Sequence, residues 1–109
     1  MPLVRIDSSR IIDWESFHDV FAKSFGFPDF YGRNMNAWID CLTYLDDTDS
    51  GMTTIHGSSK DLVVLQLDNA NSLPAEMLSA IVDGAAFVNW RRIELGNGAI
   101  LALSYYKSA

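Results

Sequence analysis

The chain has 109 residues, 49% of them hydrophobic, enough apolar side chains for one domain with its own core. Fourteen acids against eight bases leave a net charge of −6, the opposite of the basic stripe by which a protein grips nucleic-acid phosphates, and one that suits a basic protein partner by speeding encounter. Cys41 is the one cysteine, so no intramolecular disulfide can form; with neither a signal-peptide core nor a membrane-length apolar run, the expected location is a reducing cytoplasm and no membrane contact is expected.

In chain order, residues 3–6 (Leu-Val-Arg-Ile) are short, apolar and β-branched, and read as a first strand. Asp13 can cap a helix, along which Trp14, Phe17, Phe21 and Phe25 recur at i, i+3, i+7 and i+11. That aromatic stripe must face a core. Gly26 and Pro28 end the helix and open a punctuated aromatic loop holding Phe27, Phe30, Tyr31 and Gly32. Asn34 then caps a second helix over about 34–45, with Met35, Trp38, Leu42 and Leu45 as its apolar stripe. On the opposite side Asn36, Asp40 and Thr43 stack on one polar, exposed face, with Ile39 beside them.

Residues 46–60, DDTDSGMTTIHGSSK, read as a loop, long enough to be functional or mobile. The aliphatic run 62–67 has the character of a strand buried on both faces. After a turn at 69–72, Pro74 suits a helix first turn. Helical spacing continues from Met77 to about Glu94, with a break into two helices possible at Gly84. Gly96-Asn97-Gly98 ends it, and residues 100–106 read as a third strand. Strands separated by helical crossovers pair in parallel. The expected fold is therefore α/β: a small three-stranded parallel sheet with helices packed on it, in a single domain over 1–109.

No catalytic set converges. His18 reads as a surface residue of the first helix and His56 as a solvated loop residue, and no spacing ties either to Cys41, itself read as a small, partly buried hydrophobe. The acids from Asp46 resemble a calcium loop only in part, because position twelve is Gly57 where a Glu is needed. Glycines form no phosphate cradle, and Arg91-Arg92 suit a helix C-terminal dipole. No metal, cofactor or enzymatic activity is expected. Asp40, with Asn36 and Thr43 around it, makes sense as an anchor for a cationic partner surface, since a carboxylate can accept paired hydrogen bonds from Arg.

The run Phe27-Pro28-Asp29-Phe30-Tyr31-Gly32-Arg33-Asn34, followed by Trp38-Ile39-Asp40-Cys41-Leu42-Thr43, closely resembles the barstar family, inhibitors of the ribonuclease barnase. The resemblance implies the same small parallel sheet with helices. It also implies a binding surface in which the loop and second helix plug a ribonuclease active site, with the helix Asp where a substrate phosphate would lie. Carried over by position, the partner-binding residues are Phe30, Tyr31, Gly32, Asn34, Asn36, Ile39, Asp40 and Thr43. Asn36, Ile39 and Phe30 stand where the family has Asp, Trp and Tyr, residues 89–92 are basic where the family is acidic, and 46–60 is an insertion. The resemblance thus implies a monomeric, immunity-type inhibitor of a basic extracellular or effector ribonuclease, with a partner other than barnase fitting these departures. The alternative is a non-catalytic interaction module of the same fold with an unrelated partner.

Overall fold

A computed structural model describes residues 1–108 of the chain. The elements run β1 (Leu3–Asp7), α1 (Trp14–Phe25), α2 (Met35–Thr43), β2 (Val63–Asp68), α3 (Ala75–Glu94) and β3 (Leu101–Tyr105), with short 3-10 turns at Ser8–Arg10 and Ala70–Ser72. The sheet has the order β1-β2-β3 and both pairings are parallel. Two right-handed crossovers that step the same way along a sheet put their helices on one face of it. Burial follows that rule. Val4, Ile6, Val63, Leu65 and Leu67 are buried under the helices, whereas Arg5 is exposed and Val64, Gln66 and Asp68 are half-buried. The reading of β2 as buried on both faces is corrected by this geometry: the far face has no helix over it. That face is closed instead by polar contacts, Arg5 Nε to Asp68 at 3.0 Å and Gln66 to Asp68 at 3.0 Å.

The helix ends form where local chemistry places them. Asp13 accepts a hydrogen bond from the Ser16 N–H at 2.8 Å while the Ser16 hydroxyl accepts from the Asp13 N–H at 3.1 Å, a reciprocal cap on α1. Gly26 ends α1 with φ 69°, a left-handed turn that suits glycine, and a side chain there would also run into Thr54. Asn34 accepts from the Ala37 N–H at 2.8 Å to start α2. The aromatic stripe of α1 reaches the core at Phe17, Phe21 and Phe25, while Trp14 remains at the rim, 38% exposed. Phe21 meets Trp38 of α2 edge-on with ring centroids 5.6 Å apart.

Helix α3 does not break at Gly84. Glycine serves packing there: a Cβ at that position would lie 2.8 Å from the buried Trp38 ring, so the missing side chain is what lets α2 and α3 approach so closely.

Residues 46–60 form a loop without helix or sheet strand, as expected, and it is tied down. The Thr54 N–H donates to the Phe25 carbonyl at 2.9 Å and the Gly57 N–H to the Leu45 carbonyl at 3.0 Å, while Met52 and Ile55 pack against the core. Its first residue is held by Arg92, which is only 3% exposed. That guanidinium donates to both Asp46 carboxylate oxygens (2.9 and 3.2 Å), to the Thr43 carbonyl (2.9 Å) and to the Gly98 carbonyl (2.9 Å). Arg92 thereby joins the end of α2, the start of the loop and the approach to β3. Removing one partner of a buried, multiply bonded pair is costly. Arg92→Met is expected to lose about 3 kcal/mol of stability, the lower end of the range for such pairs because Asp46 keeps access to water. Urea unfolding followed by tryptophan fluorescence checks this, and an unchanged midpoint would show that the network is dispensable.

Candidate functional site

The outer face of α2 presents Asn36 and Asp40, one turn apart and both exposed. Beside it runs the loop between α1 and α2, folded by a turn in which the Tyr31 N–H donates to the Pro28 carbonyl at 2.9 Å. That turn leaves Phe30 75% exposed. Phe30, Tyr31, Gly32 and Asp40 come together around a shallow cavity of about 170 Å³, together with Ala37, Cys41 and Met52. Met52 belongs to the 46–60 loop, so that loop reaches the rim of this surface. Ile39 is half-buried against the core cluster.

Three of the expected binding residues face inward or are already occupied. Tyr31 is 8% exposed and its hydroxyl lies 2.6 Å from His18 Nδ1. Asn34 spends its side-chain oxygen on the cap of α2. Thr43 is 8% exposed, not on the exposed face, and its hydroxyl donates to the Ile39 carbonyl one turn back at 2.7 Å. The Thr43 carbonyl, in turn, is held by the buried Arg92 guanidinium.

His18 corrects a second expectation. It is 5% exposed, because Tyr31 closes over it and Trp14 stacks against it with ring centroids 6.1 Å apart. Burial, reinforced by the nearby Arg33 charge, lowers the pKa of this imidazole, and burial raises that of the Tyr31 phenol. Arg33 itself takes a left-handed backbone, φ 54°, and reaches across to α1, where its guanidinium meets Asp19 at 2.8 Å and the Glu15 carbonyl at 3.1 Å. The buried Tyr31–His18 contact and the outer Arg33–Asp19 contact hold the loop to α1 from two sides. Cys41 is buried, and burial followed by the Asp40 charge pushes its thiol pKa up to about 11.

One feature invisible to sequence spacing is the partner of Asp40. Arg91 Nη1 lies 2.7 Å from Asp40 Oδ1, across the α2–α3 contact. The acid proposed as an anchor for outside cations already holds one from its own chain.

The family model described as Barstar (barnase inhibitor) matches residues 1–91, from β1 through most of α3. The chain belongs to the barstar family. No curated protein matches it as a relative. Barstar-family proteins are ribonuclease inhibitors and are not enzymes, and the chemistry of this surface agrees with that. A buried thiol with a raised pKa is a poor nucleophile, and the His18 nitrogen nearest the loop is occupied by Tyr31. No helix among the described residues is long and apolar enough to cross a membrane.

The buried imidazole has a consequence for stability. Its folded-state pKa is lowered from 6.5, so the unfolded chain takes up a proton near pH 6.5 that the folded protein refuses. The stabilisation is whole above that pH and declines as pH falls through the window below it. The urea midpoint is expected to drop between about pH 7.5 and about pH 5.5, with His18→Gln flattening the dependence over the same interval. An equally steep slope in the variant would assign the effect to other groups.

Proposed function

We propose that this chain inhibits a barnase-type ribonuclease by covering its active site with the 27–34 loop and the outer face of α2, Asp40 standing in for a substrate phosphate. The observation that carries this is the exposed Asp40 carboxylate, set one turn from Asn36 and beside the Phe30–Gly32 edge of the loop. A carboxylate accepts hydrogen bonds from the same Arg and Lys groups that bind phosphate. Phe30 adds a large apolar contact that loses little conformational entropy on burial, and net charge −6 attracts a basic enzyme. Phe30, Gly32, Asn36, Ile39 and Asp40 touch the enzyme in this mechanism. Tyr31, Asn34 and Thr43 serve it as positioning residues, fixing the loop and helix from within. The partner is a basic extracellular or effector ribonuclease, held inactive in the cytoplasm by a monomeric inhibitor.

A second reading has one observation in its favour. Arg91 already neutralises Asp40, which suits a non-catalytic interaction module whose partner needs no phosphate mimic.

Titrating barnase-catalysed RNA cleavage with the wild-type chain and with Asp40→Ala separates the two. Loss of a desolvated anchor typically costs 2 kcal/mol or more, so inhibition by Asp40→Ala is expected to weaken about thirtyfold or more. Equal inhibition by both proteins would remove Asp40 from the interface, and no inhibition by either, of barnase or of a panel of other basic ribonucleases, would favour the interaction module.

A further inference from the structure

Arg91 is placed by two contacts at once. Its guanidinium donates to Asp40 Oδ1 at 2.7 Å, and it lies over the Phe87 ring, 5.2 Å from the centroid. Phe87 is backed by Trp90, ring centroids 5.8 Å apart. Asp40 is 58% exposed and Arg91 35%, so cation and anion stand side by side at the same surface. A planar guanidinium seated on an aromatic face loses that stacking if it swings away. A cation cluster that reaches Asp40 from outside therefore meets Arg91 as well, and like charges brought together at a forming interface cost affinity and select among partners.

We propose that Arg91 is a specificity-determining residue: it competes with the partner's cations for Asp40 and penalises an active site that presents positive charge alone. This rests on the inhibitory role proposed above. Its consequence is a ribonuclease partner whose cationic centre carries a carboxylate alongside, placed to take up Arg91 when Asp40 is engaged. Such a partner meets a neutral, two-signed pair with a complementary pair, and neither charge is left desolvated and alone. The exposed Phe87 and Trp90 continue the same surface along α3 and offer the apolar contact that borders such a pair.

The test uses barnase as the probe, with four proteins: wild type, Arg91→Gln, Asp40→Asn and Arg5→Gln. Arg5 lies on the open face of the sheet, paired with Asp68, so Arg5→Gln removes the same charge away from the proposed site. Both neutral variants gain the same long-range attraction and are expected to associate faster to the same extent. Arg91→Gln alone is expected to dissociate more slowly, giving inhibition about three- to tenfold tighter than Arg5→Gln. If Arg91→Gln gains no more than Arg5→Gln, or weakens inhibition, while Asp40→Asn loses inhibition, local competition is overturned and the inhibitory role stands. If Asp40→Asn inhibits as well as wild type, or no protein inhibits barnase or any of a panel of other basic ribonucleases, the inhibitory role and this inference fall together.

Discussion

Arg92 sits inside the protein with its guanidinium spread over the end of α2, the start of the 46–60 loop and the approach to β3. It accepts none of the freedom of a surface arginine: the Thr43 carbonyl, both Asp46 oxygens and the Gly98 carbonyl take its hydrogens. The Thr43 carbonyl lies in the last turn of α2, where carbonyls lack helical partners, so the side chain of one helix caps the end of another. The pairing also holds the Asp46 carboxyl below its ordinary pKa, by the hydrogen bonds from Arg92. With Arg92 pointing inward, the rotation of α3 about its axis is fixed. Successive helical residues point about 100° apart, so the residue before it, Arg91, is turned to the side where α2 exposes Asp40. The same rotation of α3 that buries Arg92 with Met77, Ile81, Ala85 and Val88 thus brings Arg91 to Asp40. Both ion pairs depend on the close approach of the helices that Gly84 and Trp38 permit.

The other end of α2 is fixed differently. Asn34 caps the helix, Arg33 turns through a left-handed conformation, and Tyr31 reaches His18 beneath the loop. A left-handed non-glycine residue costs about 1 kcal/mol or more unless its surroundings hold it, and the Arg33 contacts to Asp19 and the Glu15 carbonyl supply that hold. The loop is therefore ordered before any partner arrives. For an inhibitor this matters, because the entropy of ordering a binding loop is otherwise charged against affinity. Phe30 is the residue the arrangement leaves outside.

Local rules were legible wherever one segment decides its own fate. The caps at Asp13 and Asn34, the stop at Gly26 and the stripe of Phe17, Phe21 and Phe25 follow from neighbours a few residues away, and the parallel sheet follows from alternating strands and helices. What misled were positions whose surroundings come from elsewhere. His18 lies off the aromatic stripe and looks solvated until Tyr31 folds over it. Thr43 has the spacing of an outward residue, but it is buried in the folded chain beside the carbonyl that Arg92 holds. β2 has the composition of a strand covered twice, although both crossovers lie on one side and leave Gln66 and Asp68 half-open. Asp40 stood out through the family motif and its exposed spacing. Its partner is 51 residues away, beyond any helical or strand period, so only the packing of α2 on α3 reveals that the anchor carries a counter-charge.

That counter-charge changes what the net charge can accomplish. Arg5, Arg33, Arg91 and Arg92 are each paired with an aspartate, so the acidic excess resides in groups outside these pairs. At separations wider than an ion pair but still within about a Debye length, about 8–10 Å at ordinary salt, a basic protein senses mainly the excess and is drawn in without regard to its detail. Within contact distance the balance is different, because Asp40 offers its carboxylate beside a fixed guanidinium. In the proposed mechanism attraction and discrimination fall to different charges: the unpaired acids set how fast a basic enzyme arrives, and the Asp40–Arg91 pair sets which one stays. A surface built only from free carboxylates could hold a cationic site more tightly, but it would hold many of them.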